Sequence, residues 1–302
     1  MKKILFAIAI LIFAAGCSDP NTGTTSTPPS TSKYKKYAGD DEIKIMSFNV
    51  RTSGMDKNTV NHWENRKEAC IALIKDHKPT IIGFQETTYT DQWVYLKNQL
   101  KSSGYEGYGL NRQNGEEGGY GEVSAILYDK NLVRMIDAGT IWLSETPDTP
   151  SKGFGAGYYR TASWGLFEHI HTGQEFLFIN THLDHESELA QVEGMKLIAK
   201  KFEEYKKSHS LFLTGDLNVE ASHKAIEAIK SFMRNARTYA YPTDSYGTTN
   251  GFKTKDSNKK IDHIYYSDHL KPVEYYTIRE EYNGVEFVSD HFPIYAIIKV
   301  KK

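Results

Sequence analysis

Acidic, amide and histidine side chains follow several apolar, strand-like segments of this chain. Residues 43–48, 80–84, 176–179 and 211–213 are such segments, and the side chains that follow them include Asn49, Glu86, His182, Asp216 and Asn218. Because buried strands end at the rim of a sheet, these side chains can meet in one pocket although they are far apart in sequence. Hard divalent ions such as Mg²⁺ bind carboxylate and amide oxygens, and imidazole transfers protons near neutral pH. The pattern predicts a metal-assisted hydrolytic site.

The elements that must position these side chains alternate between strand and helix patterns. Apolar spacing predicts helices over residues 64–77, 188–207 and 222–233, and strands over 123–128, 166–170, 275–278 and 294–300. The mixture indicates an α/β or α+β layered domain. Two long polar, glycine-rich connections, residues 105–121 and 146–159, adjoin the site segments, and we expect them to wall a substrate cleft.

Five short motifs occur in an order that resembles the endonuclease/exonuclease/phosphatase superfamily. The motifs are SFNVR at 47–51, QE at 85–86, NTHLDH at 180–185, GDLN at 215–218 and SDHFP at 289–293. The resemblance runs from about residue 42 to the C-terminus. It implies a four-layer sandwich, in which two packed mixed β-sheets are flanked by helices and the site lies at one edge. It also implies a phosphoesterase that uses Mg²⁺ or Mn²⁺.

The resemblance assigns metal binding to three residues. Glu86 matches the metal-binding glutamate of the superfamily, and Asn49 is expected to share in metal or phosphate binding. Asp290 is expected to be a metal ligand or to support one. The alternatives for Glu86 and Asn49, taken singly, are a surface carboxylate and a turn asparagine.

The resemblance makes His291 the general base, with Asp262 orienting its other ring nitrogen. Asp216 would orient the attacking water or bind metal, and Asn218 would donate a hydrogen bond to the scissile phosphate. Asp216 and Asn218 alternate, so on an extended segment both would leave the same side of the chain. The alternative is a strand that runs into an Asp/Asn turn.

Further residues are expected to contact the substrate. In the resemblance His182 binds the phosphate or protonates the leaving oxygen, and Glu122 pairs with it. Arg160 resembles a phosphate-contacting arginine, with a surface salt bridge as the alternative. The remaining predicted substrate contacts are Tyr120, Trp164 and Asn250, and core packing or ordinary exposure is the alternative for the aromatic residues.

The N-terminus predicts export. Lys2 and Lys3 precede an apolar run that is too short to span a bilayer, and the run ends on the lipobox-like sequence AAGC at 14–17. We predict a lipoprotein signal peptide over residues 1–17, with Cys17 lipidated and the protein anchored in the cell envelope; ordinary cleavage is the alternative. Residues 18–41, rich in Thr, Ser, Pro and Gly, are expected to be a flexible linker, and residues 42–302 the catalytic domain.

Charge favours a compact substrate. The formal net charge is -1, and it falls to about -3 without residues 1–17, which carry two lysines and no acid. Proteins that grip long stretches of nucleic acid usually carry a basic excess. We therefore predict that the substrate is a compact phosphomonoester or phosphodiester, such as a phosphorylated sugar, a lipid head group or a nucleotide. We also expect the protein to be a monomer. The alternatives are a secreted nuclease of DNA or RNA and a tethered binding lipoprotein without catalysis.

Overall fold

The structure is a computed structural model, and it describes Lys35 and residues 37–300. The predicted signal peptide, Cys17 and most of the predicted linker lie outside these residues. Within the described part, no helix combines the length and the apolar character needed to cross a membrane. The backbone N–H of Lys35 donates to Glu274 Oε2 at 2.6 Å, and Lys299 pairs with Asp41 at 3.2 Å. The chain therefore contacts the domain before residue 42.

Two six-stranded mixed sheets form the centre of the domain. In chain order the strands are β1 (Glu42–Asn49), β2 (Ile81–Gln85), β3 (Thr87–Thr88), β4 (Tyr105–Tyr108), β5 (Glu122–Val123), β6 (Ile126–Asp129), β7 (Val133–Trp142), β8 (Thr161–His169), β9 (Gln174–His182), β10 (Ser210–Asp216), β11 (Met233–Asn235), β12 (Asp262–Ser267), β13 (Lys271–Thr277) and β14 (Ile294–Lys299). The first sheet has the order β13-β14-β1-β2-β6-β4 and the second β11-β12-β10-β9-β8-β7, while β3 and β5 form a separate pair. Only β1–β2 and β9–β10 are parallel among the neighbouring strands of these sheets.

Helices cover the outer face of each sheet. These helices are α1 (Trp63–His77), α2 (Val94–Leu100) and α3 (Glu188–Lys201), with a π-helical turn at Tyr89–Trp93 and 3₁₀ turns at Lys101–Ser103, Tyr205–Lys207 and Lys224–Ala228. The short α4 (Ala236–Tyr239) instead contributes Ala236 to the apolar cluster between the sheets. One apolar cluster packs α1 and α2 on the first sheet, a second fills the space between the sheets, and a third packs α3 on the second sheet. The predicted four-layer sandwich is confirmed.

Because side chains alternate along a strand, a single strand packs against the apolar clusters on both of its faces. On β1, Ile43 and Ile45 belong to the cluster between the sheets, whereas Met46 and Phe48 belong to the cluster under α1. All four side chains are fully buried, and burial of each contributes about 1.5–3 kcal/mol. The central strands are therefore fixed on both faces, which fixes the position of the polar residues at their ends.

Two helix predictions were wrong in extent. The pattern over residues 188–207 yields an α-helix only to Lys201, followed by a separate 3₁₀ turn. The pattern over residues 222–233 yields a 3₁₀ turn whose N-cap is His223, not Ser222, and Met233 pairs with Ser267 on β12. The apolar residues there are buried as the pattern indicates, but tight i to i+3 bonds and strand pairing place them instead of an α-helix.

Candidate active site

The polar strand ends meet at one edge of the two sheets. Asp216, the last residue of β10, is the register partner of His182 on β9 and of Asp262 on β12. On the first sheet, Asn49 at the end of β1 is the partner of Gln85 at the end of β2. A cavity of about 800 Å³ opens at this edge. The predicted site residues that line it are Glu86, Glu122, Arg160, His182, Asp216, Asn218, Asn250, Asp290 and His291.

A histidine–carboxylate pair lies at the cavity wall. His291 Nδ1 is 2.9 Å from Asp262 Oδ2, so the structure places Asp262 where the resemblance predicts it. Burial lowers the pKa of His291, but the carboxylates of Asp262 and Asp216 outweigh it and hold the pKa well above its ordinary value. Because Nδ1 is bonded to Asp262, Nε2 is the nitrogen left for proton transfer. Asp262 itself is buried behind His291.

Asp216 occupies the centre of the site. Its Oδ2 accepts a hydrogen bond from Asn49 Nδ2 at 3.0 Å and lies 3.6 Å from His182 Nε2. The same oxygen lies 3.8 Å from His291 Nδ1. Burial, together with the neighbouring charge of Asp262, raises the pKa of Asp216 to about 7. The charged form of this carboxyl group is therefore disfavoured, and a nearby cation would stabilise it.

Asn49 joins two carboxylates instead of presenting an oxygen to a metal. Its Nδ2 donates to Glu86 Oε1 and to Asp216 Oδ2, each at 3.0 Å, and its Oδ1 accepts from the backbone N–H of Arg51 at 2.9 Å. The side chain is buried, and it does not line the cavity. This placement differs from the prediction that Asn49 is a metal ligand. Asn49 holds the two acids in position.

Glu86 and Asp290 supply further acidic groups. Glu86 has a left-handed backbone (φ 57°), and its Oε2 accepts from the Thr52 N–H at 3.2 Å. Burial raises its pKa, but the bond from Asn49 and the charges of His291 and Arg51 lower it by more. Burial raises the pKa of Asp290, which pairs with Arg51 at 3.4 Å.

These groups fit a divalent cation. Single ligand atoms from Glu86, His182 and Asp216 lie within 4.8 Å of one another, and the same holds for Asp216, Asp262 and His291. Burial, followed by the neighbouring charge of Asp262, raises the pKa of Asp216, so a nearby cation would favour its charged form. Oxygen ligands in such a setting suit Mg²⁺ or Mn²⁺. The acidic and histidine clusters could therefore bind a metal.

His182 is not paired with Glu122, which corrects the prediction. Glu122 Oε2 instead pairs with Arg112 Nη1 at 2.7 Å. His182 Nδ1 is buried and has no hydrogen-bond partner among the described residues. Burial, followed by the charges of Arg160 and Arg112, holds the pKa of His182 well below its ordinary value. The imidazole is therefore neutral at pH 7, and its other nitrogen, Nε2, is the one that lies near Asp216.

Arg160 is buried and lines the cavity, so the alternative of a surface salt bridge is wrong. Its Nε lies 3.4 Å from Asp184 Oδ2, and its Nη2 lies 2.9 Å from His185 Nδ1. Its guanidinium is 5.4 Å from the ring centre of Tyr158, which stacks on His185. Arg160 thus sits in a fixed frame with its charge directed to the cavity.

Two of the predicted asparagines, Asn218 and Asn250, line the cavity, and the backbone at Asn218 differs from the prediction. The strand ends at Asp216, and Asn218 is left-handed (φ 53°), so the two side chains do not alternate on one extended segment. Asn218 Nδ2 donates to the Leu183 carbonyl at 3.0 Å. Asn250 Nδ2 donates to the Ser289 carbonyl at 3.0 Å, so Asn250 holds the segment that carries His291. Its predicted role in substrate binding is not supported by these contacts.

Two predicted aromatic contacts lie outside the cavity. Trp164 packs on Phe202 and Tyr205, with ring centres 6.0 and 6.3 Å away. Alternation along β8 turns this side chain toward the α3 layer, so the prediction that Trp164 binds substrate is wrong. Tyr120 is 69% exposed, and its hydroxyl lies beside Gly54. It does not line the cavity either.

Sequence reasoning missed Arg51, Arg112 and Tyr158, all of which line the cavity. Arg51 lies two residues after the end of β1, in the SFNVR motif, so its position was a usable signal. Arg112 and Tyr158 lie in the two long connections that we predicted to wall a cleft, but nothing in those connections marks which residue points inward. His185 also lines the cavity.

Comparisons with known proteins agree with this fold. An endonuclease/exonuclease/phosphatase family protein of Bacteroides thetaiotaomicron superposes with a TM-score of 0.79 at 32% identity, covering 85% of this chain and 97% of that one. A mannosyl-6-phosphatase of the same organism gives 0.76 at 31% identity, covering 85% and 99%. The uncharacterized protein L388 of Acanthamoeba polyphaga mimivirus is 26% identical over 278 residues, 85% of this chain and 100% of that one. Residues 46–291 match the model of the Endonuclease/Exonuclease/phosphatase family, to which this chain therefore belongs.

Proposed function

We propose that this protein is a divalent-metal-dependent phosphoesterase. Its family acts hydrolytically on phosphoesters, so the coarse activity rests on membership. The observation that carries the proposal is the convergence in one cavity of the His291–Asp262 pair with the carboxylates of Asp216 and Glu86. A base, an acidic cation site and a neutral histidine are the groups that phosphoester hydrolysis needs.

The residues act in distinct roles. Glu86 and Asp290 would hold Mg²⁺ or Mn²⁺, which when bound would neutralise charge on the phosphoryl oxygens. His291 Nε2 takes the proton from the attacking water, while Asp262 holds the ring through Nδ1 and stabilises the imidazolium that forms. Asp216, held by Asn49, orients that water.

A second group of cavity residues contacts the negatively charged phosphate of the substrate. His182 is neutral, so it can donate one ring N–H to a phosphoryl or leaving oxygen without repelling a cation. Arg160, another residue of this group, contributes a fixed positive charge. Asn218, whose Nδ2 is anchored on Leu183, remains at the cavity surface for a further contact to the phosphate.

Three features support a compact substrate. The cavity of about 800 Å³ exceeds a phosphoryl group and has room for an attached ring or head group. The three arginines that line it are each within 3.4 Å of an acidic partner: Arg51 with Asp290, Arg112 with Glu122, and Arg160 with Asp184. The mannosyl-6-phosphatase among the similar structures makes a phosphorylated sugar the substrate class to test first.

A nuclease is the second candidate. Lys259 is exposed at the cavity wall, and residues 253–260 carry three further lysines. One of these, Lys255, lies 3.8 Å from Glu286. Such a basic loop is what a nucleic-acid backbone would contact, although it is short compared with the footprint of a nucleic-acid-binding surface.

We also propose that the protein is exported and anchored through a lipidated Cys17, and that it acts as a monomer. The export and the anchoring rest on the sequence of residues 1–17. The full-length protein should partition with membranes, and Cys17→Ser should release it or leave it unprocessed. Recovery of the wild-type protein in the soluble cytoplasmic fraction would contradict the proposal.

A substrate panel tests the catalytic proposal. The chain without residues 1–17 is incubated with a hexose 6-phosphate, a head-group phosphodiester, a nucleoside monophosphate and DNA, with Mg²⁺, Mn²⁺ or EDTA. We expect metal-dependent turnover of a compact ester, and a loss of roughly 100-fold or more in kcat for His291→Ala. Tight binding of a phosphoester with no turnover under any condition would instead support the tethered binding lipoprotein.

A further inference from the structure

Thr248 lies directly behind the His291–Asp262 pair and contacts the backbone beside both of its members. The side chain is fully buried and does not line the cavity. Its Oγ1 accepts hydrogen bonds from the backbone N–H groups of Ile261 at 3.1 Å and Asp262 at 3.2 Å. Its carbonyl accepts from the N–H of Phe292, the residue after His291, at 2.7 Å.

This arrangement spans two segments that are distant in sequence. Asp262 begins β12, whereas His291 lies in the loop before β14, and the two residues are 29 positions apart. The backbone of Thr248 also donates to the Lys259 carbonyl at 2.8 Å, and its neighbour Thr249 forms an isolated bridge with His291. Thr248 is thus hydrogen-bonded on one side to the start of β12 and on the other to the His291 segment.

The hydroxyl group of Thr248 is essential to the contact with the start of β12. A threonine hydroxyl has two acceptor lone pairs, which match the two N–H groups of Ile261 and Asp262. Valine has nearly the same shape but no acceptor, so Thr248→Val would leave both buried N–H groups unbonded. The start of β12 would then shift to find other partners. Serine keeps the acceptor and loses only a methyl group.

We propose that Thr248 is a positioning residue that fixes the separation and orientation of Asp262 relative to His291. This inference rests on the proposed function, in which His291 is the general base. Thr248 touches neither the cavity nor the substrate, so it acts only through the pair. Loss of the Thr248 hydroxyl group should therefore lower kcat and leave KM nearly unchanged.

The test compares Thr248→Val, Thr248→Ser and the control Thr277→Val. Thr277 is equally buried, and its hydroxyl group bonds Asp244 at 2.9 Å and Arg237 at 3.2 Å, away from the cavity. We expect Thr248→Val to lower kcat about 10- to 100-fold with KM within about twofold, because positioned proton transfer contributes about 100- to 10,000-fold. Thr248→Ser should restore kcat to within about threefold. The control should lose thermal stability to a comparable extent and keep kcat.

A spectroscopic readout separates this inference from the proposed function. The imidazole N–H hydrogen-bonded to Asp262 should give a downfield proton resonance, assigned by its absence from His291→Gln. That resonance should persist in Thr248→Ser and Thr277→Val and move upfield or vanish in Thr248→Val. If no phosphoester is turned over by the wild type, the proposed function fails and the resonance alone decides the role of Thr248. A wild-type resonance in Thr248→Val, or equal kcat losses in Thr248→Val and Thr277→Val, would overturn the inference.

Discussion

Asp216 and Asp262 face each other as register partners on two adjacent antiparallel strands, and each is 2% exposed. Two buried carboxyl groups in this relationship disfavour each other's ionisation. The pKa of Asp216 is raised from 3.8 to about 7, first by burial and then by the charge of Asp262. The site is therefore assembled at a cost in stability to the metal-free protein.

Replacement of Asp216 by Asn should stabilise the metal-free protein in a pH-dependent way. Because the folded pKa is raised, the folded state keeps a proton that the unfolded state releases, and stability falls as pH rises from about 4 to about 7. The full penalty is at most about 4 kcal/mol above that range. We expect the Tm advantage of Asp216→Asn to be several degrees at about pH 8 and small at about pH 5. An advantage of the same size at both pH values would contradict this origin.

Divalent metal should raise the Tm of the wild type through Glu86. Saturation at about 100 times Kd would stabilise the fold by about 2.7 kcal/mol. Glu86→Gln should lower the apparent metal affinity, measured from the metal-induced Tm shift, by about tenfold or more, since a carboxylate ligand is lost. The matched control is Glu106→Gln, whose carboxylate pairs with Lys130 and does not line the cavity. Equal metal-induced shifts in Glu86→Gln and in the wild type would remove Glu86 from the metal site.

Asp262→Asn should change the pH dependence of catalysis as well as its rate. The general base must be neutral, so kcat/KM rises with pH through the pKa of His291, which the charge of Asp262 raises above its ordinary value. Loss of that charge lowers the pKa, so the acidic limb of the pH profile should move to lower pH. The plateau should fall roughly 100-fold because the imidazolium loses its partner. A limb that stays in place would show that His291 is not the titrating base.

Tyr158 and Trp164 form a matched pair of aromatic residues for testing the cavity. Tyr158→Ala should raise KM several-fold, because this ring lines the cavity. Trp164→Ala should leave kcat/KM within about twofold and lower the free energy of unfolding by about 1–3 kcal/mol, because its contacts are with Phe202 and Tyr205. The measurements are steady-state kinetics and denaturant unfolding of both variants. Catalytic loss confined to Trp164→Ala would invert our assignment of the two residues.

The positions of the strand ends were predictable from the sequence because buried strands are apolar runs with sharp limits. Residues 43–48 and 211–213 lie within β1 and β10, and the polar residues after them meet at one edge. The proximity of Asp262 and His291 came from the resemblance alone, since a separation of 29 positions carries no local signal of contact. The edge strand β7 was not predicted, because its residues are mostly half-buried or exposed and show no regular alternation.

The partners of individual charged groups were not predictable. Glu122 was expected to meet His182, but Arg112 from a long connection lies 2.7 Å from it and pairs with it instead. Likewise, the side chain of Trp164 points to the helix layer because of its register on β8, which the sequence pattern did not settle. Which side chains pair depends on the path that each loop takes near the sheet edge. The local spacing of residues does not predict that path.

Steady-state kinetics at two salt concentrations test the central claim most directly. The substrates are a hexose 6-phosphate, a dinucleotide and a single strand of about 20 nucleotides, each with Mg²⁺. An enzyme that grips several backbone phosphates loses affinity with a log–log salt slope of about -0.7 per phosphate on a single strand. We predict the highest kcat/KM for the hexose phosphate, little gain from nucleotide length and little dependence on salt. A strong preference for the long strand that collapses at high salt would contradict the account and identify a nuclease.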